Sequence, residues 1–308
     1  MRQIIRASDL IGKSRAIEPR IDGPTTVRVN LLKGLEKIGQ PYFFNPPVGK
    51  VTRLVGVLSN PAALRWAIGA KERGRIRWLI AGPNLVVTPD EHAGILNHPA
   101  IDLVVTPSKW VSQCYAAIAP GLSDKLVEWS AGVDENYWCP SSDQSASKKL
   151  DFLIFAKLQS PSSEYMIHEI GSELANRGFS FSQLRYGTFQ QGEYRSLLRA
   201  SRALLYLSES ESQGLALFEA WACDVPTLVW DRKYWDWHGY RCEASSAPYL
   251  SAQCGLSFHD LSAFFEKLDS FVVTLPTFRP RDYIRSRFTQ AQAAYSYSQL
   301  LILDGKTS

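Results

Sequence analysis

Residues 208–229 read SESESQGLALFEAWACDVPTLV, and the rest of the chain is ordered around them. They follow a short, unbroken, leucine-rich run at residues 203–207, the composition of a strand covered on both faces. Glu211 stands in the turn after that strand. Glu219 follows after seven intervening residues, in a segment where Leu215, Phe218 and Ala222, and also Leu217 and Trp221, recur at helical intervals. Gly214 lies between the two glutamates, at the predicted helix start. A glycine there lets a ligand approach backbone N–H groups closely, and a helix N-terminus favours anions. The segment therefore offers a phosphate-friendly end flanked by two carboxylates. Ionised glutamate is acceptor-only and takes two hydroxyl donors at once, which suits a sugar or ribose ring.

The arrangement resembles the signature of the retaining, two-domain (GT-B) glycosyltransferases of the glycogen-synthase and sucrose-synthase type, family GT4 in particular. The residues that carry it are Glu211 and Glu219 as an E-x7-E pair, Gly214-Leu215 between them, the run Glu219-Ala220-Trp221-Ala222, and the strand start Val225-Pro226-Thr227-Leu228-Val229. A bare pair of glutamates eight apart also arises as two solvated positions on one helix face. The order strand, glycine turn, helix, strand distinguishes the two readings. The resemblance implies an α/β fold of two Rossmann-like domains facing across a cleft. It further implies hexosyl transfer from a nucleotide-diphosphate sugar to a saccharide, lipid or other small acceptor, with no required cofactor and no metal. Two rivals share the cleft: a non-catalytic nucleotide-sugar-binding or regulatory protein, and a nucleotide-sugar epimerase or hydrolase.

At 308 residues the chain is about two domains long by a prior of ~150 residues per domain. With 45% apolar and 21% charged residues it has a globular composition, and no run approaches the ~20 apolar residues that span a bilayer. The opening MRQIIRASDLIGKSR lacks the apolar core of a secretory signal, which predicts a cytoplasmic location. The net charge of +4 is too small to predict a nucleic-acid partner. It suits a diphosphate donor or peripheral contact with an anionic membrane surface. Five cysteines without C-x-x-C spacing predict reduced, mostly buried thiols, and the five histidines show no ligand spacing for a metal. The nine tryptophans fit core packing or the lining of a sugar cleft.

Taken in order, Ile4-Ile5 suggests a first strand, and Gly23-Pro24-Thr25-Thr26 opens a helix with Val27, Leu31, Leu35 and Ile38 on one face and Gly39 as its stop. Strands are predicted at 42–45, 54–58, 77–81, 101–106 and 125–129, with helices at 61–71 and after Pro107 up to Ala119. Gly82-Pro83-Asn84 reads as a turn at a strand's carboxyl end, where open α/β sheets bind ligands, so Asn84 and the loop residue His92 are candidate sugar or acceptor contacts. A lone histidine in a polar loop is, however, more often merely solvated. Residues 131–140, AGVDENYWCP, resemble the family's segment leading into the interdomain linker, which residues 141–149, SSDQSASKK, supply. This gives a first domain over 1–140 and a second over 150–288, and the resemblance implies that a helix over 289–308 crosses back to the first domain.

The second domain begins with a strand at 151–156, then a helix at 164–177, a strand at 181–186 ended by Gly187, and a helix at 194–200. Residues 230–249 show neither helical nor strand period. They read as a lid or acceptor-facing loop, or as an insertion packed by its own aromatics. By resemblance, Glu211 holds the donor sugar, Glu219 the ribose, and Ser212, Gln213, Gly214 and Leu215 present N–H groups. Gly187 lies by the base and Gly23 near the phosphates. Lys157 falls where the family places an arginine for the leaving diphosphate, and Ser162 falls where it places a lysine. That departure leaves one cation where the pattern has two: either Lys13, Arg15, Arg20 or Arg185 supplies the second, or the donor is bound differently, or catalysis has been lost.

Overall fold

The computed structural model describes residues 22–141, 148–158 and 161–302. The expected first strand at Ile4-Ile5, with Lys13, Arg15 and Arg20, lies outside them. Two parallel sheets organise the chain. The first has the order β1-β2-β3-β4, from β1 (Leu54–Ser59), β2 (Trp78–Asn84), β3 (Leu103–Thr106) and β4 (Leu126–Glu128). The second contains β5 (Leu150–Lys157), β6 (Phe181–Arg185), β7 (Ser201–Ser208), β8 (Thr227–Trp230) and β11 (Gly255–Phe258), in the order β11-β8-β7-β5-β6. Parallel strands need crossover helices, which cover both faces of each sheet.

Strand alternation divides each core in two. On β7, Leu204 and Tyr206 pack with Leu198 of α6 (Gln191–Ala200) and Phe218 and Trp221 of α7 (Leu215–Ala222). Ala203, Leu205 and Leu207 face the other way, onto Ile170 of α5 (Pro161–Asn176) and Phe264 of α8 (Leu261–Thr274). In the first sheet, Leu79 and Val104 meet Leu64 of α2 (Pro61–Glu72) and Val111 of α4 (Lys109–Ile118). Ile80 and Val105 meet Leu31 of α1 (Gly23–Lys37) and Ala294 of α10 (Gln290–Ile302). Capping fixes the helix starts: Asp22 Oδ1 accepts from the Thr25 N–H at 2.8 Å, and Asn60 Oδ1 from Ala62 at 2.9 Å.

The chain reaches the second sheet after Val133 and comes back through α9 (Pro280–Arg287) to α10, against α1. The two crossings run side by side. Val133 N–H donates to Phe288 O at 2.9 Å and Gln290 N–H to Val133 O at 3.2 Å. Trp129 Nε1 donates to Ala293 O at 2.8 Å. α10 lies so close to α1 that a Cβ on Gly34 would stand 2.1 Å from Gln290 O. Gly34→Ala is therefore expected to destabilise the protein in urea denaturation, although helix propensity alone favours alanine by about 1 kcal/mol.

Four sequence expectations are corrected. Residues 42–45 form no strand, because Phe43 and Phe44 are both exposed (68% and 48%), Asn45 has φ +46°, and the prolines that follow donate no ladder bonds. Gly82-Pro83-Asn84 continues β2, where Asn84 pairs with Ser59, instead of turning. Residues 230–249 contain an antiparallel hairpin, β9 (Tyr234–Trp237) and β10 (Tyr240–Glu243), closed by His238 and Gly239 with φ +44° and +89°. Finally, the cysteines are not all reduced: Cys114 and Cys242 are disulfide-bonded, while Cys139, Cys223 and Cys254 are free.

Candidate functional site

β5 is followed by β6 on one side and β7 on the other, so connections leave in opposite directions between the adjacent strands β5 and β7. The carboxyl ends of strands at such a reversal open a crevice between diverging loops, where open α/β sheets bind their ligands. Lys157 is the last residue of β5 and pairs in register with Ser208, the last of β7. Glu211 follows three residues later, and its carboxylate meets the lysine directly. Lys157 Nζ donates to Glu211 Oε1 at 3.0 Å and to Oε2 at 2.9 Å. Oε1 also accepts from the Tyr206 hydroxyl at 2.7 Å and the Ser208 hydroxyl at 3.0 Å. Oε2 accepts from Lys157 and keeps capacity for a further donor.

Tyr206 and Ser208 were not singled out in the sequence. Their signal was present, because residues two apart on a strand share a face and a polar pair closing an apolar run calls for a polar neighbour. Glu211 is only 7% exposed. The Lys157 side chain is 29% exposed, so the pair opens to solvent on the lysine side. Burial alone would lower the Lys157 pKa, but the charge and hydrogen bonds of Glu211, with Tyr186 nearby, outweigh it and hold the ammonium above its usual range. Burial and the same carboxylate push the Tyr206 hydroxyl far above the ordinary tyrosine value. Lys157 Nζ also lies 4.9 Å from the Tyr186 ring centre. Gly187, with φ +91°, follows Tyr186 two residues past the end of β6.

Glu219 is different. It is 8% exposed, and among the described residues no hydrogen bond or ion pair reaches its carboxyl. Burial pushes its pKa up to about 8. The site thus holds one carboxylate satisfied by a cation and two hydroxyls, and one buried carboxyl without a protein partner. A buried acceptor of this kind calls for a ligand or solvent donor.

The loop between them is set by backbone shape and by the first sheet's domain. Gly214, at φ +86°, ψ +56°, precedes α7, and a Cβ there would stand 3.1 Å from Leu217 Cδ1. Gly214→Ala is expected to cost about 1–2 kcal/mol, read as a lowered midpoint in thermal unfolding. Gln213 binds the first sheet's domain. Its Nε2 donates to Ala131 O at 2.7 Å and its Oε1 accepts from Ala131 N–H at 2.9 Å, so its side-chain amide pairs like a strand residue across the two domains. Trp110 Nε1 donates to Glu211 O at 2.8 Å, and the Tyr249 hydroxyl to Pro107 O at 2.7 Å. Ser212 is exposed and Leu215 half-buried at the first turn of α7, whose leading N–H groups lie outside the helix ladder.

The remaining candidates stand apart. Gly23 is the first residue of α1, and no atom outside its neighbours lies within 4 Å of where its Cβ would be. His92 is exposed, in the left-handed single turn α3 (Glu91–Gly94), with φ +54°. Asn84 ends β2 with a buried Nδ2 that has no partner among the described residues. Arg185 is bound at both guanidinium ends by Glu164, at 2.6 Å each, in an exposed pair. Ser162 falls in the first turn of α5. Among the described residues no cluster of metal-ligating side chains is found, and no helix is long and apolar enough to cross a membrane.

No family model and no curated protein sequence matches this chain. Solved structures do match. It is similar to a glycosyltransferase from Rickettsia africae ESF-5 with a TM-score of 0.52 and 12% identity, over 90% of this chain and 88% of that one. It is similar to the catalytic domain of starch synthase IV from Arabidopsis thaliana, bound to ADP and acarbose, with a TM-score of 0.55 and 13% identity, over 91% and 76%. A third likeness, to the lipopolysaccharide outer core galactosyltransferase WaaB in its apo form, has a TM-score of 0.53 and 9% identity, over 90% and 80%. At such identity the likeness carries the fold: this chain has the GT-B architecture, two Rossmann-like domains facing across a cleft.

Proposed function

We propose that this protein is a retaining, GT4-like hexosyltransferase that moves a sugar from a nucleotide-diphosphate sugar to a saccharide, lipid or other small acceptor, with domains over 1–140 and 150–288 and a returning C-terminal helix. The observation that carries the reading is the meeting of Lys157 and Glu211 at the reversal between β5 and β7, with the unpartnered Glu219 carboxyl on the helix that follows. In this reading Lys157 is the cation that stabilises the negative charge developing on the oxygen of the departing diphosphate, a role that needs no metal. Glu211 orients that ammonium and offers Oε2 to a hydroxyl of the donor sugar. Glu219 accepts from the ribose hydroxyls, which replaces its missing protein partners. Gly214 and the free N–H groups at the start of α7 lie toward the phosphates, and Gly187 lies toward the base.

The saturation of Glu211 Oε1 by Lys157, Tyr206 and Ser208 favours one alternative, a binding or regulatory protein of the same fold in which the pair is only structural. A panel of nucleotide sugars, incubated with the protein and assayed for free nucleoside diphosphate, separates the two. Release that depends on an added acceptor supports transfer. Nucleotide binding without release supports the binding protein, and release without an acceptor points to hydrolysis.

A further inference from the structure

The hairpin β9–β10 has two unlike faces. Alternation along its strands puts Tyr234, Asp236, Arg241 and Glu243 on one face and Trp235, Trp237, Tyr240 and Cys242 on the other. The first face is polar and solvated: Arg241 Nε pairs with Asp236 at 2.6 Å, and its guanidinium lies 4.7 Å from the Tyr234 ring centre. The second face lies on the first sheet's domain. The Trp235 ring is 5.9 Å from Trp110 on α4, Trp237 stacks on Trp235 at 6.1 Å, and the Tyr240 hydroxyl donates to Asp90 at 3.0 Å. Cys242 is bonded to Cys114 of α4, with Cα atoms 5.7 Å apart. Trp110 in turn holds the Glu211 carbonyl. A continuous line of contacts therefore runs from the hairpin through α4 to the segment that carries the candidate carboxylate, and one covalent bond pins it.

We propose that Cys114 and Cys242 form a thiol-gated clasp between the two domains. Oxidised, the pair holds the hairpin on α4 and the domains closed over residues 211–219. Reduced, it leaves only the aromatic and hydrogen-bonded contacts, and the domains open more often. The exchange balances with a small disulfide as oxidant. One cysteine thiolate attacks oxidised glutathione and releases one glutathione thiolate; the second attacks the mixed disulfide and releases the other. Two protein thiols and one glutathione disulfide thus give one protein disulfide and two glutathione thiols. Cys223 and Cys254 are buried; the half-buried Cys139, whose sulfur accepts from Arg199 at 3.0 Å, is the one free thiol among the described residues open to a glutathione adduct, which intact mass distinguishes from the clasp. The effect on ligand exchange rests on the donor site proposed above, whereas the clasp itself does not.

The test uses the full chain after treatment with oxidised glutathione or with dithiothreitol, read by thiol alkylation in denaturant and by amide hydrogen exchange. Oxidation is expected to leave three of the five thiols alkylatable. Exchange within residues 109–118 and 234–243 is expected to be at least about tenfold slower in the oxidised form, and dissociation of UDP or ADP slower by a similar factor. Cys242→Ser should match the reduced protein and ignore glutathione. Five thiols after oxidation, or equal exchange in both states, would overturn the clasp. Redox-dependent exchange with no nucleotide binding would leave the clasp standing and overturn the donor reading instead.

Discussion

Lys157→Ala is expected to lower turnover by roughly 10²–10³-fold while changing the affinity for nucleoside diphosphate by less than about tenfold. The asymmetry follows from when the charge appears. In the bound donor the diphosphate charge is already spread and partly solvated, and in the transition state more of it gathers on the leaving oxygen, which is where a fixed ammonium contributes most. Lys157 suits this role because the Glu211 carboxylate keeps it protonated against the pull of burial, and because its side chain remains 29% exposed on the crevice side. Folding should survive the change. Glu211 keeps the Tyr206 and Ser208 hydroxyls as donors, and the loss of a half-solvated ion pair is expected to cost about 1–2 kcal/mol. Steady-state kinetics beside calorimetry with the nucleoside diphosphate reads both quantities. Turnover within a few fold of the parent would remove Lys157 from the diphosphate role.

Glu219→Gln is expected to weaken donor and nucleoside diphosphate alike by ten- to a hundredfold, because both carry the ribose hydroxyls and hydrogen bonds to a charged acceptor are worth about 1.5–3 kcal/mol each. pH adds a second signature. Hydroxyl donors favour the carboxylate, yet burial holds the free carboxyl's pKa at about 8. Below that value binding must release a proton, so affinity should climb by up to about tenfold per pH unit and level off above it. Stability runs the other way. The ordinary value is 4.5, so between there and about 8 the folded chain holds a proton that the unfolded chain has lost. Stability from this group is complete below that window and falls through it by roughly 1 kcal/mol per pH unit. The glutamine variant should therefore bind worse and unfold at a higher temperature at pH 8. Calorimetry in buffers of different ionisation enthalpy, with melting curves at pH 5 and 8, checks both. A variant with unchanged affinity and the parent's pH slope would return Glu219 to a purely structural place.

Much of this site was legible because it is local in sequence. The apolar run of β7, the left-handed Gly214 and the period of α7 are all written within some twenty residues, and each obeys a rule that acts over one strand or one turn. Lys157 was legible only by resemblance, since nothing within β5 itself says that its last residue meets a carboxylate 54 positions later. The partners that complete the geometry come from the other domain, where no short-range rule reaches: Trp110, Ala131 and Pro107 touch the second domain through contacts that only the packed fold defines. The hairpin was missed for a different reason. Its alternation is aromatic on both faces in β9, so the polar contrast that marks a half-buried strand is weak, although His238-Gly239 supplied the two-residue turn. The Cys114–Cys242 bond joins residues 128 apart and leaves three cysteines unpaired, a pattern that spacing alone does not reveal.

The paired crossings at Val133 and Thr289 bear on how the halves can move. A single connecting segment would let one domain bend, twist and slide about the other, whereas two adjacent segments hydrogen-bonded to each other share one line and leave mainly rotation about it. A Cβ on Gly132 would stand 2.4 Å from Thr289 O, so the two strands of this axle touch without a side chain between them. The hairpin's bond to α4 is a second tie between the domains, separate in sequence from the crossings. Because α10 completes the core of the first domain after the second crossing, that domain is built from both ends of the described chain and the second domain is inserted between them.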